Sequence, residues 1–300
     1  MAGFREMLAK RQGKANTLVC VGLDPLIEKL PLCLAKGEYS LRTSHAVITW
    51  MSRIASATAK YACMFKPQIA HWEAIPGGIE ALKDTILNIR SENPDIPIFL
   101  DCKRGDIART QQQYRIACLN HIGADGMNFS PYMGRDCMAA LVDKDNLGRA
   151  LVGLCYTSNP DAREVQDLML DNGERLWEAI AIKTMTWAQE LGVIENAGLV
   201  MAAAYEYPKG SCQIHYEHLA KCRQIVGDKM WFLIPGIGTQ GGFVKATVRA
   251  AYTGLGSIAI NSSSGITEAS SGEDYAEAAA TKAEELRDQI NDSIWNYQRE

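Results

Sequence analysis

The 300-residue sequence predicts an α/β architecture, a single (β/α)8 barrel of the TIM type, and three features point to it. Short apolar or β-branched runs alternate with longer amphipathic stretches from one end of the chain to the other. There are eight such runs. The runs show little in-out alternation, as parallel strands covered on both faces do, and no domain-sized linker separates them, so residues 1–300 read as one domain.

The expected strands are Thr17–Gly22, Ala62–Lys66, Ile96–Leu100, Gly126–Phe129, Ala150–Cys155, Leu199–Ala203, Trp231–Ile234 and Ser257–Ile260. A short helix over residues 4–11 precedes them. Between them the 3.6-residue spacing of apolar positions predicts helices at Ser44–Lys60, Gly78–Ser91, Thr110–His121, Gly173–Glu190, Gln213–Val226 and Gly242–Tyr252, with a last helix at Asp274–Tyr297. The Asn/Asp/Pro-rich interruption Thr157 to Asn172 reads as a functional loop.

Composition narrows the class. At 47% hydrophobic residues the chain can bury a large core, and a net charge of −4 from 31 basic and 35 acidic residues leaves no basic groove for nucleic acid and no membrane-surface patch. The nine cysteines, odd in number and without a Cys-x-x-Cys pair, read as reduced thiols. Arg5, Glu6, Lys10 and Arg11 do not form a signal peptide, and no apolar run approaches a membrane span; the expectation is a soluble, cytoplasmic protein.

The chemistry concentrates in Phe99 to Thr110. Asp101 and Lys103 are two apart, so on a strand they share a face, while Cys102 points away into packing. Asp106 follows Gly105 at the expected entry to a helix. Clustered charges are costly to desolvate and need close compensation. Taken alone, the array reads either as a surface ion pair beside a helix N-cap or as a catalytic group. The other strand ends favour catalysis, because polar residues follow almost every run: Asp24, Lys66, Asn128, Ser130, Thr157 to Asn159, Gly236 to Gly242 and Asn261 to Gly265. In such barrels chemistry gathers at the C-terminal strand ends. Gly236-x-Gly238-x-x-Gly241 matches a dinucleotide pattern, but the next strand ends in Asn261 rather than an acid for a ribose, so the loop fits a barrel phosphate site better. His215 and His218 form an H-x-x-H on an expected helix, without a third ligand at suitable spacing for zinc.

With these residues assembled, the chain resembles the orotidine 5'-monophosphate decarboxylase family, in its longer microbial subtype carrying Asp-x-Lys-Arg-Gly-Asp-Ile. The pieces that carry the resemblance are Val21–Pro25, Lys66–Gln68, Asp101–Thr110, Ser130–Arg135, Thr157–Pro160, Pro235–Gly242 and Asn261–Gly265. The resemblance implies decarboxylation of orotidine monophosphate to uridine monophosphate without metal or organic cofactor, by a homodimer. It implies that Asp101 crowds the leaving carboxylate, that Lys103 stabilises the developing charge and protonates carbon 6, and that Lys66 keeps Asp101 ionised and touches the ribose. Asp106 and Thr110 would reach the neighbouring subunit's site, Thr110 joining Asp24 at the ribose hydroxyls. Ser158 would read the pyrimidine edge and Gln240 would bridge base and phosphate. Gly238, Ser263 and Ser264 would hold the phosphate. The resemblance also allows fusion or association with an orotate phosphoribosyltransferase.

One position departs from the family pattern. Ser264 stands where an arginine normally grips the phosphate, and a serine does not replace a bidentate guanidinium. Either another cation moves in, Arg135 and Lys245 being nearest by loop position, or phosphate affinity falls. Two rival readings follow: a magnesium-dependent sugar-phosphate decarboxylase of the same barrel type, and a nucleotide-binding pseudoenzyme.

Overall fold

The computed structural model describes residues 2–35, 42–208, 210–237 and 243–297. In chain order the strands are β1 Val19–Leu23, β2 Met64–Pro67, β3 Phe99–Arg104, β4 Gly126–Phe129, β5 Ala150–Tyr156, β6 Ala197–Met201, β7 Tyr205–Glu206, β8 Ile214–His215, β9 Trp231–Ile234 and β10 Ile258–Ser262. Eight of them form one parallel sheet in the order β2-β1-β10-β9-β6-β5-β4-β3, and β7 and β8 form a separate antiparallel hairpin. Parallel bridges Phe65–Ile98 and Gln68–Asp101 join the two edges, so the sheet curls into a barrel with helices between its strands.

The two-residue period of the strands sorts their side chains into two cores. Leu100, Cys102, Met127 and Ile260 face outward into the layer beneath the helices, and Met64, Phe99, Val152, Trp231 and Ala259 fill the interior. The helix Phe4–Ala15 closes the N-terminal end: Phe4 stacks on Trp231 with ring centroids 5.2 Å apart, and buried Gln12 bonds Ile258 O and Gly256 N. One step further along each strand the interior turns polar. Lys66 follows Met64, Asp101 follows Phe99, and Asn261 follows Ala259, all of them buried. An apolar plug thus forms the floor beneath a polar layer at the C-terminal mouth.

All eight expected barrel strands are present, with Gly126–Phe129 and Trp231–Ile234 at the expected bounds. Strand three differs. It begins later and runs through Asp101, Cys102, Lys103 and Arg104, because partners on β2 and β4 compensate its charges and pairing continues past the first of them. The helix expected at Gln213–Val226 starts only at Glu217, since Ile214 and His215 pair with Glu206 and Tyr205. The helix expected at Thr110–His121 is α-helical over Ala108–Arg115 and a wider π-turn over Ile116–His121.

Candidate active site

At the centre of the polar layer lies Asp101. Its Oδ2 accepts a bond from Lys66 Nζ at 3.0 Å, and its Oδ1 accepts from Lys103 Nζ at 2.6 Å and from Asn128 Nδ2 at 2.6 Å. Burial raises the carboxyl's pKa, but the two ammonium groups and these bonds more than offset it and hold Asp101 well below the usual carboxylate range. Lys66 is buried too; burial disfavours its charge, yet Asp101 and Asp24 push its pKa upward. Both therefore stay ionised. The lysines differ in exposure: the side chain of Lys66 is 4% accessible and that of Lys103 47%, so only the second opens toward solvent. Cys102 turns the other way, its Sγ on Asn128 O at 3.3 Å.

Lys66, Asp101, Lys103 and Asn128 line a cavity of about 580 Å³. Ser130, Ser158, Asn159 and Gln166 add polar groups to its wall, and Leu154, Val200, Leu233 and Trp177 supply an apolar one. A site of that size, mostly apolar with a few convergent polar groups, suits a small organic ligand. The wall after β5 is braced internally. Gln166 accepts from Thr157 N at 2.9 Å and donates to Thr157 Oγ1 at 2.8 Å, which fixes the chain beside Ser158.

Asp24, just beyond β1, accepts from Gln68 N at 2.9 Å. Ser263 follows β10, and Gly22 is what admits it: a Cβ on Gly22 would lie 1.9 Å from Ser263 Oγ. Ser264 opens the short turn Ser264–Thr267 and is half-buried. Asp106 is half-buried with Oδ1 on its neighbour Ile107 N at 2.7 Å, and Thr110 lies exposed on the first turn of the helix Ala108–Arg115. Neither lines the cavity that holds Lys103. Gln240 and Gly238 lie outside the described residues.

The two cations offered as replacements at Ser264 sit on helices, Arg135 at the start of Arg135–Ala139 and Lys245 within Val244–Ala251. Arg135 pairs with Glu190 at 2.7 Å on an outer helix, and Lys245 lines a separate groove with Phe243 and Tyr216. The H-x-x-H is also engaged otherwise: His218 Nε2 meets Ala202 O at 2.8 Å, and His215 Nε2 meets Tyr207 O at 3.0 Å. Burial lowers the pKa of His218 to about 4, so it is neutral. Among the described residues no group of three or more His, Cys, Asp or Glu is placed to hold a metal ion.

In the sequence Asn128 stands among the strand-end polar residues without a role, and Gln166 carries no signal of its own. A lone asparagine inside the run Gly126–Phe129 was the available signal, since a buried carboxamide needs partners.

A barrel with a charge-compensated lysine–aspartate array at its C-terminal mouth defines a class of enzymes that act on small molecules in that cavity. The comparisons are more specific. The sequence profile of the orotidine 5'-phosphate decarboxylase / HUMPS family matches residues 17–279, and the chain belongs to that family. The orotidine 5'-phosphate decarboxylase of Bordetella petrii is 39% identical over 290 residues, covering 96% of this chain and 98% of that protein. Among solved structures, the Leishmania donovani OMP decarboxylase superposes with a TM-score of 0.76 at 30% identity, over 98% of this chain and 99% of that one. The Leishmania donovani UMP synthase superposes with a TM-score of 0.75 at 31% identity, over 97% of this chain but 57% of that one.

Proposed function

We infer that this chain decarboxylates orotidine 5'-monophosphate to uridine 5'-monophosphate, the closing reaction of pyrimidine nucleotide synthesis. The observation that carries the inference is the Lys66–Asp101–Lys103 array in the mouth of a barrel of this family. Loss of CO2 from carbon 6 leaves a poorly delocalised carbanion, so catalysis must come from preorganised charge and from binding energy at the remote phosphate. Asp101, held ionised, faces the substrate carboxylate and disfavours the bound ground state. Lys103, with its ammonium on Asp101 and open to the cavity, stabilises the carbanion as CO2 departs and delivers the proton to carbon 6. Lys66, sealed below, keeps Asp101 charged.

In the same reading Ser158 contacts the pyrimidine, Asp24 the ribose, and Gln240, Gly238, Ser263 and Ser264 the phosphate. Asp106 and Thr110 serve the site of a second copy in a homodimer. The exposed apolar side chains of Ile107 and Tyr132, 60% and 83% accessible beside those loops, support such a contact. Residues 1–300 act as one cytoplasmic barrel domain, and the likeness to a UMP synthase supports association with an orotate phosphoribosyltransferase. The test is the absorbance of orotidine monophosphate on adding purified protein with a chelator present. Steady loss of substrate signal supports the reading; a folded protein that leaves the absorbance unchanged refutes it.

A further inference from the structure

The β3–β4 ladder is interrupted where the chemistry sits. Leu100 pairs with Met127, and pairing resumes only at Arg104 opposite Phe129, so three residues, Asp101 to Lys103, face Asn128 alone. A bulge of this kind leaves amides without ladder partners. Here the amides of Cys102 and Lys103 both point at one side chain: Asn128 Oδ1 accepts from them at 2.8 and 2.6 Å. The other end of the same carboxamide, Nδ2, donates to Asp101 Oδ1 at 2.6 Å. Lys103 also has φ +45°, a left-handed conformation that a non-glycine residue keeps only where its surroundings hold it. Asn128 is 1% exposed.

We propose that Asn128 is a positioning residue for the decarboxylation, its carboxamide holding the backbone of Lys103 and the carboxylate of Asp101 in one fixed relation. The proposal rests on the roles inferred above for those two residues. The orientation of the amide follows from its three bonds, because a flip would set its NH2 against two N–H groups and its oxygen against a carboxylate. Without this brace the bulge loses its acceptor, and Lys103 can swing away from Asp101 on a stretch that the β4 ladder does not pair.

Asn128→Asp separates positioning from mere support. It keeps an oxygen for both amides but sets a second carboxylate against Asp101 Oδ1. The charged groups around that pair are Lys66 from β2, Lys103 from β3 and Asp24 beyond β1. Two adjacent carboxylates raise one pKa of the pair, so lowering the pH lets them share a proton and restores a donor between them.

The experiment measures kcat and KM for orotidine monophosphate from pH 5 to 9, with uridine monophosphate affinity and circular dichroism as controls. Asn128→Asp should lose about 10²-fold in kcat at pH 8 with KM nearly unchanged, and the deficit should shrink as pH falls. Asn128→Ala should show a deficit that pH does not repair. A wild-type kcat and pH profile in Asn128→Asp overturns the proposal, as does a deficit shared equally by kcat and nucleotide affinity at every pH. Lys103→Ala, assayed alongside, locates a failure: if it is inactive while Asn128→Asp is normal, only the positioning role falls, and if it stays active, the underlying roles fall and this one with them. Should Asn128→Asp not fold, amide exchange in the wild-type protein decides, since unprotected Cys102 and Lys103 amides contradict the brace.

Discussion

Two aspartates of this barrel are almost equally buried, Asp101 at 8% and Asp125 at 7% exposed, and each is clamped by two cations. They lie at opposite ends of neighbouring strands. Asp125, just before β4, takes Arg149 at 2.8 Å on one oxygen and Arg90 at 3.0 Å on the other, with Ile98 N at 2.9 Å. Both guanidiniums also bond carbonyls, Arg149 to Ala124 O and Arg90 to Gly123 O. These donors are committed to the backbone, and a guanidinium does not give up a proton at ordinary pH. Asp101, at the other end, is clamped by amines, and Lys103 keeps one side open to a cavity. An ammonium can surrender its proton and take it back. Equal charge and equal burial thus give a fastener at the N-terminal end of the barrel and, in the function inferred above, a reaction centre at its C-terminal end, the division expected of this fold.

The comparison breaks first at Lys103. Lys103→Ala should cut turnover by at least about 10³-fold while leaving the thermal midpoint within a few degrees, because the residue is half-exposed and outside the core. Comparable turnover in wild type and variant would erase the distinction between the two ends. Asp125→Ala should do the opposite. It leaves Ile98 N and two arginines without their acceptor, for a stability loss of about 2–3 kcal/mol, less than a fully buried pair because both guanidiniums are partly exposed. The protein that stays folded should keep its kcat, as denaturant melts and assays on one preparation would show.

Acid sharpens the same contrast. The folded-state pKa of Asp101 is depressed, so its contribution to stability is fully present above the unfolded carboxylate value of about 3.9 and is lost as pH falls through the lower folded value. Lys66 is raised, so its share is present below the unfolded value of about 10.4 and is lost as pH rises through the folded one. The array should therefore stabilise between those limits. Asp101→Asn should flatten the decline of stability below pH 4, read from urea midpoints at pH 2.5, 3.5 and 6; an unchanged slope would mean that the pair contributes nothing there.

The smallest expected effect is at the phosphate end, where the strand-ten loop offers hydroxyls and backbone in place of a guanidinium. Ser264→Arg should tighten uridine monophosphate by about 1–3 kcal/mol, more at low salt, since the new charge is partly exposed. Calorimetric titration at two salt concentrations reads it. Flat or weaker binding would mean that another cation already serves the phosphate.

Much of this was legible in the sequence because barrel strands write themselves as apolar runs and their chemistry follows at the ends. The pairing of Asp101 with Lys103 and the outward turn of Cys102 came from the two-residue period alone, and both are present. The extent of strand three was not legible. A pattern reading stops at the first charge, whereas the chain continues because Lys66 and Asn128, distant in sequence, compensate that charge. The β7–β8 hairpin was hidden for a related reason: its two-residue strands carry too few positions to show a period, so Gln213 to Val226 read as continuous helix. Asn128 escaped a role because a lone asparagine in an apolar run signals that its carboxamide needs partners but not that it caps two amides across a bulge.

The claim at the centre of this account is that Lys103 hands a proton to the carbon that loses CO2. Turnover of orotidine monophosphate in D2O, with a chelator present and the product examined by proton NMR, tests it directly. The account predicts uridine monophosphate carrying one deuterium at carbon 6 and no such product from a folded Lys103→Ala protein. Substrate left intact by the wild-type chain, or deuterated product formed as readily by the variant, would contradict it.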